Sequence, residues 1–135
     1  MGAGNSNPAF LKEYNGALYF SANDNTGKGI ELWKYDAATN KASLAADINP
    51  GPGDSNPTFL TVFGTTLYFS ANANDGAGIE LWKYDGTTNP PVRVNDVNKA
   101  GNFNPQYLAV FNNALFFQAN GGDNAGVELW KFKGP

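Results

Sequence analysis

Apolar and aromatic residues come in short runs along this chain, each stopped by a cluster of Gly, Asn, Asp or Pro. Between residues 56 and 103 there are four such runs. Phe-Leu-Thr-Val-Phe (59–63) is closed by Gly64-Thr65, and Leu-Tyr-Phe-Ser-Ala-Asn (67–72) follows at once. A Gly-, Asn- and Asp-rich loop (73–78) leads to Ile-Glu-Leu-Trp-Lys-Tyr (79–84), and after Asp85-Gly86 comes Val-Arg-Val-Asn-Asp-Val (92–97). Runs this short, rich in β-branched and aromatic residues and bounded by turn-formers, predict strands. The counterpart of the first turn is Asn15-Gly16, a hairpin signal because both residue types accept positive φ. No stretch shows the 3.6-residue apolar period of a helix. The expectation is all β.

The third run of the unit is bulky on both faces. Ile79 and Leu81 point one way, Trp82 and Tyr84 the other. A sheet with one wet face would alternate apolar with polar. Burial on both faces predicts small sheets packed between others, as blades are in a β-propeller.

The pattern is repeated. Trp33, Trp82 and Trp130 each lie in Glu-Leu-Trp-Lys, 49 and then 48 residues apart, and Pro8, Pro57 and Pro105 keep that spacing after Asn7, Asn56 and Asn104. Residues 7–36 match 56–85 without a gap at 20 of 30 positions, and 56–85 match 104–133 at 16 of 30. The chain therefore divides into a flexible lead-in (1–6), a first blade (7–55), a second (56–103) and a third (104–135) that lacks its fourth strand, all one domain or part of one. A period of 48–49 residues falls among propeller repeats.

Asn-Gly-Ala-Leu-Tyr-Phe-Ser-Ala-Asn-Asp (15–24), Gly-Ile-Glu-Leu-Trp-Lys-Tyr-Asp (29–36) and Asp-Ile-Asn-Pro-Gly (47–51) resemble the bacterial ELWxxDGT repeat, and Lys-Tyr-Asp-Gly-Thr (83–87) completes that signature. The unit is similar, more distantly, to TolB-type propeller repeats. The resemblance covers nearly the whole chain and implies four-stranded blades in an extracellular or cell-envelope protein. Two departures stand out: Asp36-Ala37-Ala38 replaces Asp-Gly-Thr in copy one, and Phe132-Lys133-Gly134 stands there in copy three.

Propellers close with about four to eight blades. Three blades leave apolar faces open, and each large side chain so exposed forgoes roughly 1.5–3 kcal/mol. The expected partner is a second copy, two chains joining head-to-tail into a six-bladed ring; nine blades from three chains is the larger ring, and a piece of a longer or engineered propeller is the other source of such a chain. The structural rival is a β-trefoil, which three repeats in 135 residues would also suit.

Composition narrows the chemistry. The chain has no Cys and no His, which removes disulfides, thiolate metal sites and the commonest general base. Net charge is −3 and the nine Lys and Arg are scattered. Duplex binding needs clustered basic charge, so nucleic acid is not an expected partner, and Lys34, Lys83 and Lys131 do not change that. No apolar run approaches the length of a membrane-spanning helix, and Met1-Gly2-Ala3-Gly4 lacks the regions of a signal peptide.

Three sets of repeated residues are candidates for ligand binding. Trp33, Trp82 and Trp130 could stack on sugar rings, or pack between blades. Glu31, Glu80 and Glu128 are the carboxylates repeated in all three units. A glycosidase needs two carboxylates at one bond, whereas one Glu per blade reads as a strand-edge charge paired with the following Lys or a backbone N–H. Asn23, Asn72 and Asn120 open the loops 23–29, 72–78 and 120–126, whose Asn and Asp could offer oxygen to Ca²⁺. The same composition suits turns, and Asp47, Asn49, Asp96 and Asn98 read the same way. No metal site or cofactor is assigned. The expectation is a non-catalytic, self-assembling binding scaffold for a glycan. The alternatives are a purely structural propeller fragment, a Ca²⁺-dependent adhesion module and a glycoside hydrolase fragment.

Overall fold

The computed structural model describes residues 4–87, 90–95 and 101–134. They form eleven strands in three antiparallel sheets, without a helix. The first sheet is β1 (Ala9–Tyr14), β2 (Ala17–Asn23), β3 (Ile30–Asp36) and β4 (Lys41–Ala46), in that spatial order. The second is β5 (Thr58–Phe63), β6 (Thr66–Asn72), β7 (Ile79–Tyr84) and β8 (Val92–Asn95). The third contains β9 (Gln106–Phe111), β10 (Ala114–Asn120) and β11 (Val127–Phe132), with β10 in the middle. Each sequence unit makes one sheet and pairs within itself. The sheets approach one another along their first strands, β1 beside β5 and β5 beside β9.

Turn chemistry explains the hairpins. Asn15 and Gly16 hold φ of 49° and 73°, the two positive values that let a two-residue turn follow the twist of its strands. Asn112 and Asn113 do the same between β9 and β10, at 46° and 54°. The expected strand at 92–97 is β8 over Val92–Asn95; its remainder, with Asp96 and Asn98, lies outside the described residues.

The central strands bury both faces, as Ile79–Tyr84 requires. Leu32 of β3 belongs to one apolar cluster with Leu60, Phe69, Ala71 and Trp82 of the second sheet. Leu81 of β7 joins Phe103, Leu115, Phe117 and Ala119 in the next cluster, with Leu108 and Trp130 against it. Two layers of the core thus lie between the three sheets, while a third apolar cluster, Phe20, Ala22 and Trp33 with Tyr35, Ala42 and Leu44, belongs to the first sheet alone. Each layer is closed by the segment that precedes the next sheet's first strand, and that segment positions the candidate residues.

Candidate functional site

Glu31 and Glu80 are fully buried in interior strands, β3 and β7. They are buried rather than set at a strand edge, and of the two partners the sequence suggested, the following Lys or a backbone N–H, each takes backbone N–H. The Ile48 N–H donates to Glu31 Oε2 at 2.7 Å, the Ser55 N–H to Oε1 at 3.1 Å, and Ser55 Oγ–H to Oε2 at 2.6 Å. Burial pushes the Glu31 carboxyl up to about 7, against the downward pull of these hydrogen bonds. Glu80 accepts from the Phe103 N–H at 3.3 Å. Ser55 and Phe103 occupy the same place in successive units, just before Asn-Pro. Glu128, the third member of the set, is exposed.

Around each buried Glu the backbone is clasped as well. The Ile30 N–H donates to Asp54 Oδ1 and the Ile79 N–H to Asn102 Oδ1, both at 2.7 Å. In return Asn56 N–H reaches Ile30 O at 3.2 Å and Asn104 N–H reaches Ile79 O at 2.8 Å. Gly29 and Gly78 make this approach feasible. Both hold positive φ, and a Cβ there would collide with Gly53 O or with Asn102 Oδ1.

The tryptophans are packed. Trp33 and Trp82 are buried and Trp130 is half-buried. Trp82 Nε1 donates to Ala71 O and Trp130 Nε1 to Ala119 O, each at 3.0 Å. Arg93 covers Trp82 at 5.2 Å and pairs with Asp75. Trp130 lines an apolar cleft of about 180 Å³ with Leu81, Phe103 and Phe117.

The Asn- and Asp-rich loops use their side chains on their own backbones. Asn23, Asn72 and Asn120 accept from the N–H two residues on, at 2.7, 2.7 and 2.9 Å. Asp24, Asp75 and Asp123 do likewise, at 2.9, 3.2 and 3.1 Å. These are Asx turns. Asp47 is paired with Lys28 at 2.9 Å, and Asn49 Nδ2 donates to Asp54 O at 3.3 Å. Among the described residues no three His, Cys, Asp or Glu converge as a metal site would need.

The geometry brings forward residues that sequence reasoning left as ordinary strand positions. Among the described residues, positive φ outside glycine occurs at Asn residues and at three others: Phe10, Phe59 and Tyr107, at 54°, 55° and 54°. They are equivalent in the three units, two residues after each Asn-Pro proline. Each sits where the first strand carries a bulge against the second. Such backbone is costly for a bulky residue, on the order of 1–3 kcal/mol. It is repeated three times. The rings form an arc across the sheets, with centroids 5.9 Å apart for Phe10–Phe59 and 5.4 Å for Phe59–Tyr107. Phe10 and Tyr107 are exposed and Phe59 is half-buried.

Beside Phe59 lies a cleft of about 290 Å³ whose wall includes Thr58, Ser70, Asn72, Asn104 and Gln106. Its amides and hydroxyls offer both donors and acceptors. Asn72 is thus the one residue of the predicted ligand set that this cleft contains; the Trp and Glu residues lie elsewhere. The recurrence of an aromatic after Asn-Pro-X is the sequence signal that could have pointed here.

Comparison of the chain with protein-family models, with curated proteins and with solved structures finds no match.

Proposed function

We propose that this chain is a non-catalytic run of β-propeller blades that serves as a binding scaffold for a neutral glycan. The propeller reading is supported by the pairing of each 48–49-residue unit within its own sheet and by the approach of the sheets along their first strands. The non-catalytic reading is supported by the burial of Glu31 and Glu80, which places neither carboxyl at the surface.

The observation that carries the glycan reading is the arc Phe10–Phe59–Tyr107, held towards solvent on strained backbone. Backbone strain kept at equivalent positions of three units points to a use for the side chains it presents. Aromatic faces with a few converging polar groups are the usual make-up of a ligand site. Here amides and hydroxyls predominate beside Phe59, which suits a ligand rich in uncharged hydroxyls. Sugar rings would lie against the aromatic faces, with hydroxyls towards Thr58, Asn72, Asn104 and Gln106.

The test is an amide-resolved NMR titration with a panel of neutral oligosaccharides, with and without Ca²⁺. Shifts confined to residues of the arc and cleft are expected. No binding across the panel would remove the glycan reading and leave the purely structural one.

A further inference from the structure

The two sheet boundaries inside this chain follow one plan, and the far face of the third sheet presents one half of it without the other. At the first boundary Leu32 is 0% exposed and Glu31 is buried; at the second Leu81 is 2% exposed and Glu80 is buried. Their counterparts on β11 are Leu129, 75% exposed, and Glu128, also exposed. Gly126 repeats the positive φ of Gly29 and Gly78, at 86°, yet a Cβ placed on it would meet nothing. The room that Gly29 and Gly78 leave is filled by Gly53 and Asn102; at Gly126 it is open.

The part of the missing half that Ser55 represents, though not the Ile48 N–H, is present at the other end of the molecule. Asn5-Ser6-Asn7-Pro8 aligns with Asp54-Ser55-Asn56-Pro57 and Asn102-Phe103-Asn104-Pro105. Its backbone is already set as theirs is. Ser6 O accepts from the Asn23 N–H at 3.0 Å, just as Ser55 O accepts from Asn72 at 2.9 Å and Phe103 O from Asn120 at 2.8 Å. The side turned away from the first sheet is bare. Pro8 is exposed where Pro57 and Pro105 are fully buried, and Leu11 is 57% exposed where Leu60 is 8%.

We infer that the β11 face binds the Asn5–Pro8 segment and Leu11 of a second copy of this chain. The inference rests on the blade reading, not on the glycan. The partner's Ser6 N–H and Oγ–H donate to the Glu128 carboxylate as Ser55 does to Glu31. The Val127 N–H donates to the partner's Asn5 Oδ1, and the partner's Asn7 N–H to Val127 O. Leu129 and the partner's Leu11 pack as Leu32 does in one cluster with Leu60. Ser6 restores the hydroxyl that Phe103 lacks, so this junction is closest in chemistry to the first. The contact is head-to-tail and must either close or propagate. Six is the one multiple of three among four to eight blades. Two copies, related by a two-fold axis, therefore close the ring through two identical junctions.

Native mass spectrometry at micromolar concentration should give twice the 14.4 kDa chain mass. Leu129→Glu, at a position exposed in the single chain, should give a monomer with an unchanged far-UV spectrum. A wild-type monomer, or a dimer indifferent to Leu129→Glu, overturns the inference. Because the chain has no Cys, cysteine pairs report direction. Asn5→Cys and Val127→Cys on separate chains should cross-link to each other and not to themselves; self-linking overturns the head-to-tail arrangement. Ile79→Cys with Asn102→Cys in one chain tests the blade reading by itself. If that internal disulfide fails to form the stacking of sheets is wrong, whereas if it forms and the intermolecular one does not, only the second-copy contact is lost.

Discussion

Ser55 Oγ donates to Glu31 Oε2 at 2.6 Å across the boundary between the first two sheets, and both residues are shut off from solvent. A carboxylate buried this way is tolerable only if its lone pairs are met. The segment before β5 meets them with a hydroxyl and two backbone N–H groups. One side chain of one unit thereby fixes where the next unit begins.

Replacing Ser55 with Ala takes away the hydroxyl and leaves the two backbone donors. A hydrogen bond to a charged acceptor contributes about 1.5–3 kcal/mol. Urea denaturation of Ser55→Ala at pH 8, above the value of about 7 at which Glu31 gives up its proton, should show a loss in that range with an unchanged m-value. A loss within experimental error of zero would mean that the clasp does not hold the boundary.

The same carboxyl makes stability depend on pH. Burial raises Glu31 to about 7 in the folded chain, above its ordinary value of 4.5. The folded state therefore holds the proton more tightly, and the contribution of Glu31 to stability is greatest below about pH 4.5 and is lost as pH rises through about 7. Measured as urea midpoints from pH 4 to 8, the stability of wild type relative to Glu31→Gln should decline across that window. A difference that is flat, or that grows with pH, contradicts the assignment.

The tryptophans are equivalent in sequence and unequal in bonding. Trp82 Nε1 donates to Ala71 O, whereas Trp33 Nε1 is buried without a partner among the described residues. Trp82→Phe should therefore cost about 1 kcal/mol more than Trp33→Phe, the size of one net hydrogen bond. Thermal or urea unfolding of the two variants side by side decides it.

Strand positions were legible because local chemistry sets them. The run 79–84 became β7 (Ile79–Tyr84) with its two apolar faces in two different core layers, and Asn15-Gly16 turned as its residue types dictate. The loops at 23–29 and 72–78 were readable too, since an Asx turn needs only a side chain and the backbone two residues on. The role of Glu31 was not legible. In the strand it looks like any solvated charge, and its partner Ser55 lies 24 residues further on, at the junction with the next unit. Phe59 was hidden for the same reason. Nothing in Thr58-Phe59-Leu60 announces a bulge; it arises when β5 must pair with β6 while keeping Leu60 in the layer between sheets.

Phe59 gives the sharpest separation of structure from function. At φ 55° a glycine is at ease and a phenylalanine is not. Phe59→Gly removes backbone strain on the order of 1–3 kcal/mol and forfeits the contacts of a half-buried ring that lies tilted between Phe10 and Tyr107, at 5.9 and 5.4 Å. Such ring pairs contribute about 0.5–1.5 kcal/mol each, so the two effects oppose and the unfolding midpoint should move little. Phe59→Ala keeps the strain, loses the ring, and should be less stable than the glycine variant by about 1 kcal/mol. Both variants should lose affinity for a bound oligosaccharide by tenfold or more, the equivalent of about 1.4 kcal/mol. If the glycine variant instead unfolds readily and the alanine variant matches it, Phe59 is a packing residue, and the strain of the arc serves the fold rather than a ligand.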